Sequence, residues 1–477
     1  MVVSLTSTEM ELDPGSFDDP TSSRLNEFMQ GGWGTQPAFV SPPSPPSAHT
    51  ARRRRQLRHA IPDETLVVSS GQAIRRNGDQ FYRFRAASDY AWLTGDQTPN
   101  GVLVMAPGAE PQLFLHPPSA RDNGEFWKDF FTGEFWVGRR PGLDQRSQEL
   151  GIECRPLSEL PGVLDNGQRT RFVPVDDRFV TPLLGEHNVL ANRELAAVLA
   201  ELRLVKDEWE IQQLRDAVDA TIRGFGDVAK LLHSGNPFSE RQVEVTFGAR
   251  ARLEGYDTGY QTISALGEHA ATLHWTRNDG GLQSGQMLLL DAGVEVNSLY
   301  TADITRTIPV SGSFTTLQRQ VYEIVLAAQE AALLEVRPGV AFKSFYAASA
   351  RVLAEGLADL GILPVSARES LQSDSGLHRR WTLCSPGHML GLDVHDCSSA
   401  RAPEYLEGIL QPGHVLTVEP GLYFQANDET IPEELRGQGF RIEDDVLVTP
   451  DGFELLSANL PRTVNDIEAW LSTAGEL

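Results

Sequence analysis

The stretch that most constrains this chain is Leu288 to Thr307, LLLDAGVEVNSLYTADITRT. Its apolar opening reads as a buried strand, yet the run ends in Asp291. A second acid, Asp303, comes next in a Thr- and Ile-rich segment of strand composition. An acid at a strand end usually faces water, because a buried, unpaired carboxylate costs several kcal/mol. Three more apolar segments in the same half of the chain are interrupted in the same way. GHMLGLDVHD carries His388 and His395, HVLTVEPGLY carries Glu419 behind Val415-Leu416-Thr417-Val418, and GFRIEDDVLV carries Glu443 between Ile442 and the Asp444-Asp445 pair. Several buried acids in one place must protonate or share a cation, and a divalent ion is the economical solution. Four carboxylates and one imidazole form an oxygen-rich set, suited to Mn²⁺, Co²⁺ or Fe²⁺ rather than to a Cys-rich structural zinc site. Five ligands with bridging carboxylates would hold two ions roughly 3.5–4 Å apart.

A chain of 477 residues exceeds what one hydrophobic core serves, so at least two domains are expected. The net charge of −24 argues against nucleic acid and against an anionic membrane surface as partners. Three cysteines, Cys154, Cys384 and Cys397, lack CxxC spacing. Such sparse usage favours a reducing, cytoplasmic location over a disulfide scaffold. The acidic N-terminus has no basic and apolar signal pattern, and no apolar run reaches the roughly 18 residues of a membrane helix.

Residues 1–50 read as a disordered Pro/Ser-rich extension, with PAFVSPPSPPSAHT at its end. The basic run Arg52 to Arg55 reads as the solvated face of a first helix. Residues 51–190 alternate polar helices with the strand-like runs ETLVVSSG, GVLVMAP, PQLFLH and FWVGRR, an α/β pattern. The segment TRFVPVDDRFVTPLLGEHN reads as a connection. In 191–465, Ile211, Leu214, Val218, Ile222, Phe225 and Val228 recur at helical spacing and predict a helix over 206–233. Strands are expected around 258–274 and 286–310, then helices over 315–336 and 341–360, then strand and turn from 380 to 460. The fold class is thus α+β, with helices flanking a mostly antiparallel sheet and a short tail over 466–477.

The ordered set LLLDAGVEV…TADITRT, GHMLGLDVHD, LTVEPGLY and RIEDD resembles the pita-bread metallopeptidases, and within them aminopeptidase P (Xaa-Pro aminopeptidase). RLVKDEWEIQQLRDA and RNGDQFYRFRAASDYAWLTG are similar to the helix that opens that family's catalytic domain and to its creatinase/prolidase-like N-terminal domain. The resemblance implies a C-terminal pita-bread domain preceded by a smaller α/β domain. It implies that Asp291 chelates one ion, Asp303 and Glu443 bridge both, and His388 and Glu419 complete the second. It further implies substrate contacts for His274 and His395, a site for proline and the residue after it at Arg441 and Tyr423, and a distant contact from Asp89. The implied reaction is hydrolysis of the bond between a free N-terminal residue and proline, by a hydroxide bridging two divalent ions, with Glu419 taking the proton. Mn²⁺ is the first expectation for the ions, with Co²⁺, Fe²⁺ or Zn²⁺ also compatible. A homodimer or homotetramer is the expected assembly.

The sequence departs from that pattern at three points. Cys384 stands four positions before His388, where the family usually has histidine, on the leaving-proline side of the site. YRFR, Tyr82 to Arg85, replaces the common YPFR. Asp291 and Asp303 are one residue further apart than in many relatives, so a hairpin loop must absorb the extra residue or Asp303 turns to the other face. Four other readings stay open: a prolidase restricted to dipeptides, a metal-independent amidinohydrolase of creatinase type, a pita-bread enzyme recruited to a specialised small molecule, and a non-catalytic binding homologue.

Overall fold

The computed structural model describes residues 22–34, 42–119, 121, 124–164, 169–173, 175, 180–185, 189–282, 285–383 and 385–474. Most of the segment read as a disordered extension lies outside them, as do Cys384 and the last three residues of the tail. Inside that extension, Ser23–Gln30 forms a helix and Trp33 sets its ring edge-on to Phe126. The chain divides into two compact units at Ala196/Ala197, within the helix Val189–Leu204.

The N-terminal unit is built on a mixed five-stranded sheet. Its strands are β1 (Thr65–Ser69), β2 (Val102–Met105), β3 (Gln112–Leu115), β4 (Glu153–Pro156) and β5 (Thr170–Phe172), in the order β4-β3-β2-β1-β5. The pairs β1/β2 and β2/β3 are antiparallel, while β1/β5 and β3/β4 are parallel. The three inner strands are the apolar runs legible in the sequence. The two edge strands, ECRP and TRF, are short and polar because each is paired on one side only. One of them lies in the segment read as a plain connection.

Two readings of this unit are corrected. FWVGRR is not a strand: Glu134–Val137 is a helical turn closed by Gly138 at φ +80°, and Phe135 and Trp136 stay exposed. Its rings pack locally edge to face, Phe130 on Trp136 and Phe126 on Phe135, so the segment needs no sheet. The basic run is not wholly solvated either. Arg53 and Arg54 of helix α1 (Ser47–Ala60) are buried and donate to the carbonyls of Trp92 and Leu93. Those carbonyls belong to the last turn of helix α2 (Ser88–Thr94), where unpaired acceptors attract cations.

The C-terminal unit opens with helix α3 (Glu208–His233), capped by Asp207 and Glu210. Helices α4 (Glu240–Glu254), α5 (Thr316–Leu333) and α6 (Ser344–Asp359) come next, the last two where helices are expected from the sequence. Strands β6 (Ile263–Leu266), β7 (Met287–Ala292) and β8 (Ile304–Pro309) form one sheet in the order β8-β7-β6. Strands β9 (Val415–Val418), β12 (Asp444–Thr449) and β13 (Gly452–Leu455) form a second, in the order β9-β12-β13. Strands β10 (Gly421–Phe424) and β11 (Gln438–Arg441) pair between them in sequence. Every one of these pairings is antiparallel. The expected strand over 258–274 is broken: Asp257–Thr258 pairs briefly with Val294–Glu295, β6 follows, and Gly267–Ala271 then turns as a 3₁₀-helix.

Register decides where the acids point. Asp291 in β7 faces Thr305 in β8. Asp303 lies two positions before Thr305, so both carboxylates project from the same face. The longer hairpin therefore absorbs its extra residue. Gly293 is required there, since a Cβ would sit 1.8 Å from the carbonyl oxygen of Ala302.

Candidate metal centre

Asp291 and Asp303 are both buried, and the hydroxyl of Tyr260 lies 2.6 Å from a carboxylate oxygen of each. The second sheet brings the remaining acids. Val418 pairs with Asp444, which puts Glu419 and Glu443 side by side just beyond the paired segment. Glu443 is 1% exposed, and its Oε2 accepts from Thr305 Oγ1 at 2.6 Å. His388 is held by strand β9: its N–H donates to Thr417 Oγ1 and its carbonyl accepts from the Thr417 N–H. The His388 Nδ1 lies 3.1 Å from the Met389 carbonyl. That contact puts the proton on Nδ1 and leaves Nε2 to face the acids. Nε2 is 3.4 Å from Asp303 Oδ2 and 3.3 Å from Glu419 Oε1.

Donor atoms of Asp303, His388 and Glu443 all lie within 4.8 Å of one another. Asp291 and Glu419 border that trio through Tyr260 and His388. The five residues expected to bind metal are thus in one place. Tyr260 is an addition to them: a tyrosine in GYDTGYQT carries no pattern that marks it before the hairpin is folded.

The electrostatics describe a site short of positive charge. Five carboxylates, counting Asp445 behind Asp303, crowd around the Arg441 guanidinium and the His388 imidazole. Burial raises the Glu443 carboxyl well above its ordinary range, and Asp303, Glu419 and Asp291 push it further. Burial lifts Glu419 to about 7 against the pull of His388, and it raises Asp291 despite Arg441. Asp303 goes the other way, because the His388 and Tyr260 hydrogen bonds outweigh its burial. Burial opposes a charge on His388, but Asp303 and Glu419 win and raise it to about 9. Asp445 is fully buried, accepts the Asp303 N–H on Oδ2, and leaves Oδ1 without a partner. Oxygen donors crowded this closely around an imidazole fit hard or borderline divalent cations.

The expected substrate residues divide into two groups. Arg441 and Tyr423 are buried at the centre. Arg441 Nη2 lies 2.5 Å from Asp291 Oδ2, Nη1 donates to the Tyr423 hydroxyl at 3.0 Å, and Nε donates to Thr305 Oγ1 at 3.0 Å. His395 and His274 are exposed. The His395 ring stands 4.2 Å from the His388 ring, edge to face; burial and then His388 lower its pKa, with a smaller contribution from His274. Asp89 is half-buried in the first turn of α2, in the other unit, and Cys384 lies outside the described residues.

Behind the acids lies a supporting shell that sequence reading missed. In Glu443-Asp444-Asp445 the side chains alternate. Asp444 turns away from the centre to accept from Arg306 at 2.6 Å, Ser457 at 2.6 Å and Gln329 at 2.8 Å. Arg306 is fully buried and also donates to the Glu443 carbonyl at 2.7 Å.

Comparison with known proteins agrees with this geometry. Residues 212–450 match the family described as metallopeptidase family M24, and residues 50–171 match the aminopeptidase P N-terminal domain. Xaa-Pro aminopeptidase 1 of Streptomyces coelicolor is 50% identical over 94% of this chain and 92% of its own length. Xaa-Pro aminopeptidase 3 of Mus musculus is 33% identical over 86% and 81%. Among solved structures, aminopeptidase P from E. coli with the inhibitor Pro-Leu superposes with a TM-score of 0.79 at 30% identity, covering 90% of this chain and 99% of that one. A zinc-substituted form of that E. coli protein, in complex with product, gives a TM-score of 0.77 at 30% identity over 90% and 98%.

Proposed function

Because the chain belongs to metallopeptidase family M24 and carries the aminopeptidase P N-terminal domain, we propose that it releases the N-terminal residue from peptides whose second residue is proline. The observation that carries this reading is the buried trio Asp303, His388 and Glu443, with Asp291 and Glu419 at its edge, in a chain half identical to an Xaa-Pro aminopeptidase. Asp291, Asp303, His388, Glu419 and Glu443 hold two divalent ions, Mn²⁺ in first place. Residues 51–190 and 191–465 serve as N-terminal and catalytic domains. The enzyme works in the cytoplasm as a homodimer or homotetramer. Among the described residues no helix is long and apolar enough to cross a membrane.

The ions, when bound, supply Lewis acidity and acidify the attacking water. The protein's own groups do the rest. Glu419 takes the proton from the attacking water. Thr305 fixes Glu443, and Tyr260 fixes the two aspartates, so the donors are set before substrate arrives. His395 and His274, at the exposed side, contact the scissile carbonyl and its surroundings. Arg441 and Tyr423 border the space for proline and the following residue. Asp89 is a remoter substrate contact. The Xaa-Pro amide has no N–H, so the site needs no acceptor at that nitrogen.

The test is a panel of Xaa-Pro dipeptides and Xaa-Pro-Yaa tripeptides with Mn²⁺, run on wild type, His388→Ala and Cys384→His. Wild type should cleave the tripeptides and hold about two ions per chain. His388→Ala should lose at least about 100-fold in metal affinity, since loss of a mere supporting partner already costs 10–100-fold. Turnover of dipeptides alone would make the enzyme a prolidase. A fully metallated protein that cleaves none of the panel would point to a specialised small-molecule substrate.

A further inference from the structure

Away from the metal ligands, one fully buried acid has an unusual number of donors. Glu240, the first residue of α4, is 0% exposed. Its Oε1 accepts from the Leu266 N–H and from His269 Nδ1, each at 2.7 Å. Its Oε2 accepts from Trp275 Nε1 at 2.8 Å and from the Gly280 N–H at 2.7 Å. The Glu240 N–H in turn donates to the Gly280 carbonyl at 3.0 Å. All four donors lie on one segment, 266–280, and they bracket His274 on both sides. A carboxylate that accepts four hydrogen bonds is a strong anchor, because a hydrogen bond to a charged group is stronger than one between neutral partners.

The segment is shaped around this anchor. His269 and Trp275 stack at 3.7 Å with 22° between their planes, and the Arg277 guanidinium sits 4.1 Å from the Trp275 ring centre. Gly280 admits no side chain, since a Cβ would meet the Glu240 carboxyl at 2.7 Å. Asn278, buried at φ +48°, donates to the Thr262 carbonyl and accepts the Ser264 N–H. His274 itself stays exposed between these fixed points.

We infer that Glu240 is a positioning residue for the reaction: its carboxylate fixes the segment that presents His274 to the substrate, without touching metal or substrate. The inference rests on the substrate role proposed above for His274. Glutamine at 240 keeps the shape but turns an amide N–H₂ toward two of the four donors. A displacement near 1 Å can cost about 100-fold in rate.

The experiment is a double-mutant cycle on the metal-loaded enzyme with an Xaa-Pro-Yaa tripeptide, using Glu240→Gln, His274→Ala and the pair. Metal content of Glu240→Gln should match wild type, and its kcat should fall about 10- to 100-fold. In the His274→Ala background the same change should lower kcat by less than about twofold, because the group it positions is gone. Equal losses in both backgrounds, or an unchanged kcat in the single variant, overturn the inference. Wild-type turnover by His274→Ala overturns the role of His274 itself, and the inference with it. Trp275→Phe removes one donor and keeps an aromatic ring, though a smaller one. If Glu240→Gln does not fold, that variant takes its place in the cycle with the same expected pattern and the same refuting outcomes.

Discussion

Asp444→Asn offers the sharpest test of how the centre is supported. In the native state Arg306 makes five hydrogen bonds. Nε donates to the Pro461 carbonyl, Nη1 to the carbonyls of Thr305 and Glu443, and Nη2 to Asp444 and the Leu460 carbonyl. Asp444 is its only charged partner among these contacts, and both side chains are 0% exposed. Removing one partner of a buried pair typically costs about 3–5 kcal/mol, because the other charge stays buried. The four carbonyls that remain around Arg306 offset part of this. Against that, the new amide opposes the Gln329 donor, which lies 2.8 Å away. The expected loss is therefore about 3 kcal/mol, in the lower half of that range. Urea unfolding of chelator-treated protein reads it without any contribution from bound metal. Glu355→Gln breaks an exposed pair with Arg351, whose side chains are 55% and 51% exposed. It should cost no more than about 0.5 kcal/mol. If Asp444→Asn loses less than about 1 kcal/mol, Arg306 is not a buried charge dependent on Asp444, and the support assigned to Glu443 fails.

Burial elsewhere gives two further expected outcomes. His414 is 2% exposed with Nε2 unpartnered, and burial, then Lys206, lowers its pKa from 6.5 to about 4. The unfolded chain therefore binds this proton first, so stability should fall as pH drops from 6.5 to about 4, by up to about 1.4 kcal/mol per unit. His414→Asn should flatten that slope in denaturation curves taken across the window, and an unchanged slope would remove His414 as its source. Gly439→Ala would place a Cβ 1.9 Å from the Ala270 carbonyl oxygen, a backbone atom that cannot rotate aside. Overpacking of this kind costs about 1–3 kcal/mol, so calorimetry should find Tm lowered by about 2 °C or more. An equal Tm would contradict the close approach of β11 to the 267–271 turn.

The parts of the molecule legible in the sequence are those governed by local rules. Helices α3 and α5 announce themselves through apolar periodicity, and the inner strands of both units through apolar runs. The acids at 291, 303, 419 and 443 stand out because each breaks such a run, where a carboxylate is costly. Residues whose role depends on distant partners give no such sign. Arg53 and Arg54 look like solvent-facing bases until the last turn of α2 offers its carbonyls. Tyr260, Asp444 and Glu240 are ordinary polar residues in their own segments. They acquire meaning only when hairpin, sheet and loop bring acceptors or donors to them from far along the chain. Asp303 and Asp445, bonded across 142 positions, show the same dependence. FWV misleads because short aromatic runs suit either a strand or a surface turn whose rings pack edge to face, and sequence spacing does not separate the two.

The dispersal of the centre along the chain has a consequence during synthesis. Asp291 and Glu443 are separated by 443 − 291 = 152 positions, and Arg306 cannot complete its contacts until Pro461 is made. At about 5–20 residues per second, the ribosome takes roughly 8–30 s to cover that interval. For much of that time the nascent chain presents the β7–β8 hairpin with its two aspartates and without His388, Glu419, Glu443 or Arg441. The candidate metal centre therefore comes into being only as the last strands leave the ribosome, so high-affinity loading of it would come after chain completion and guide none of the earlier folding.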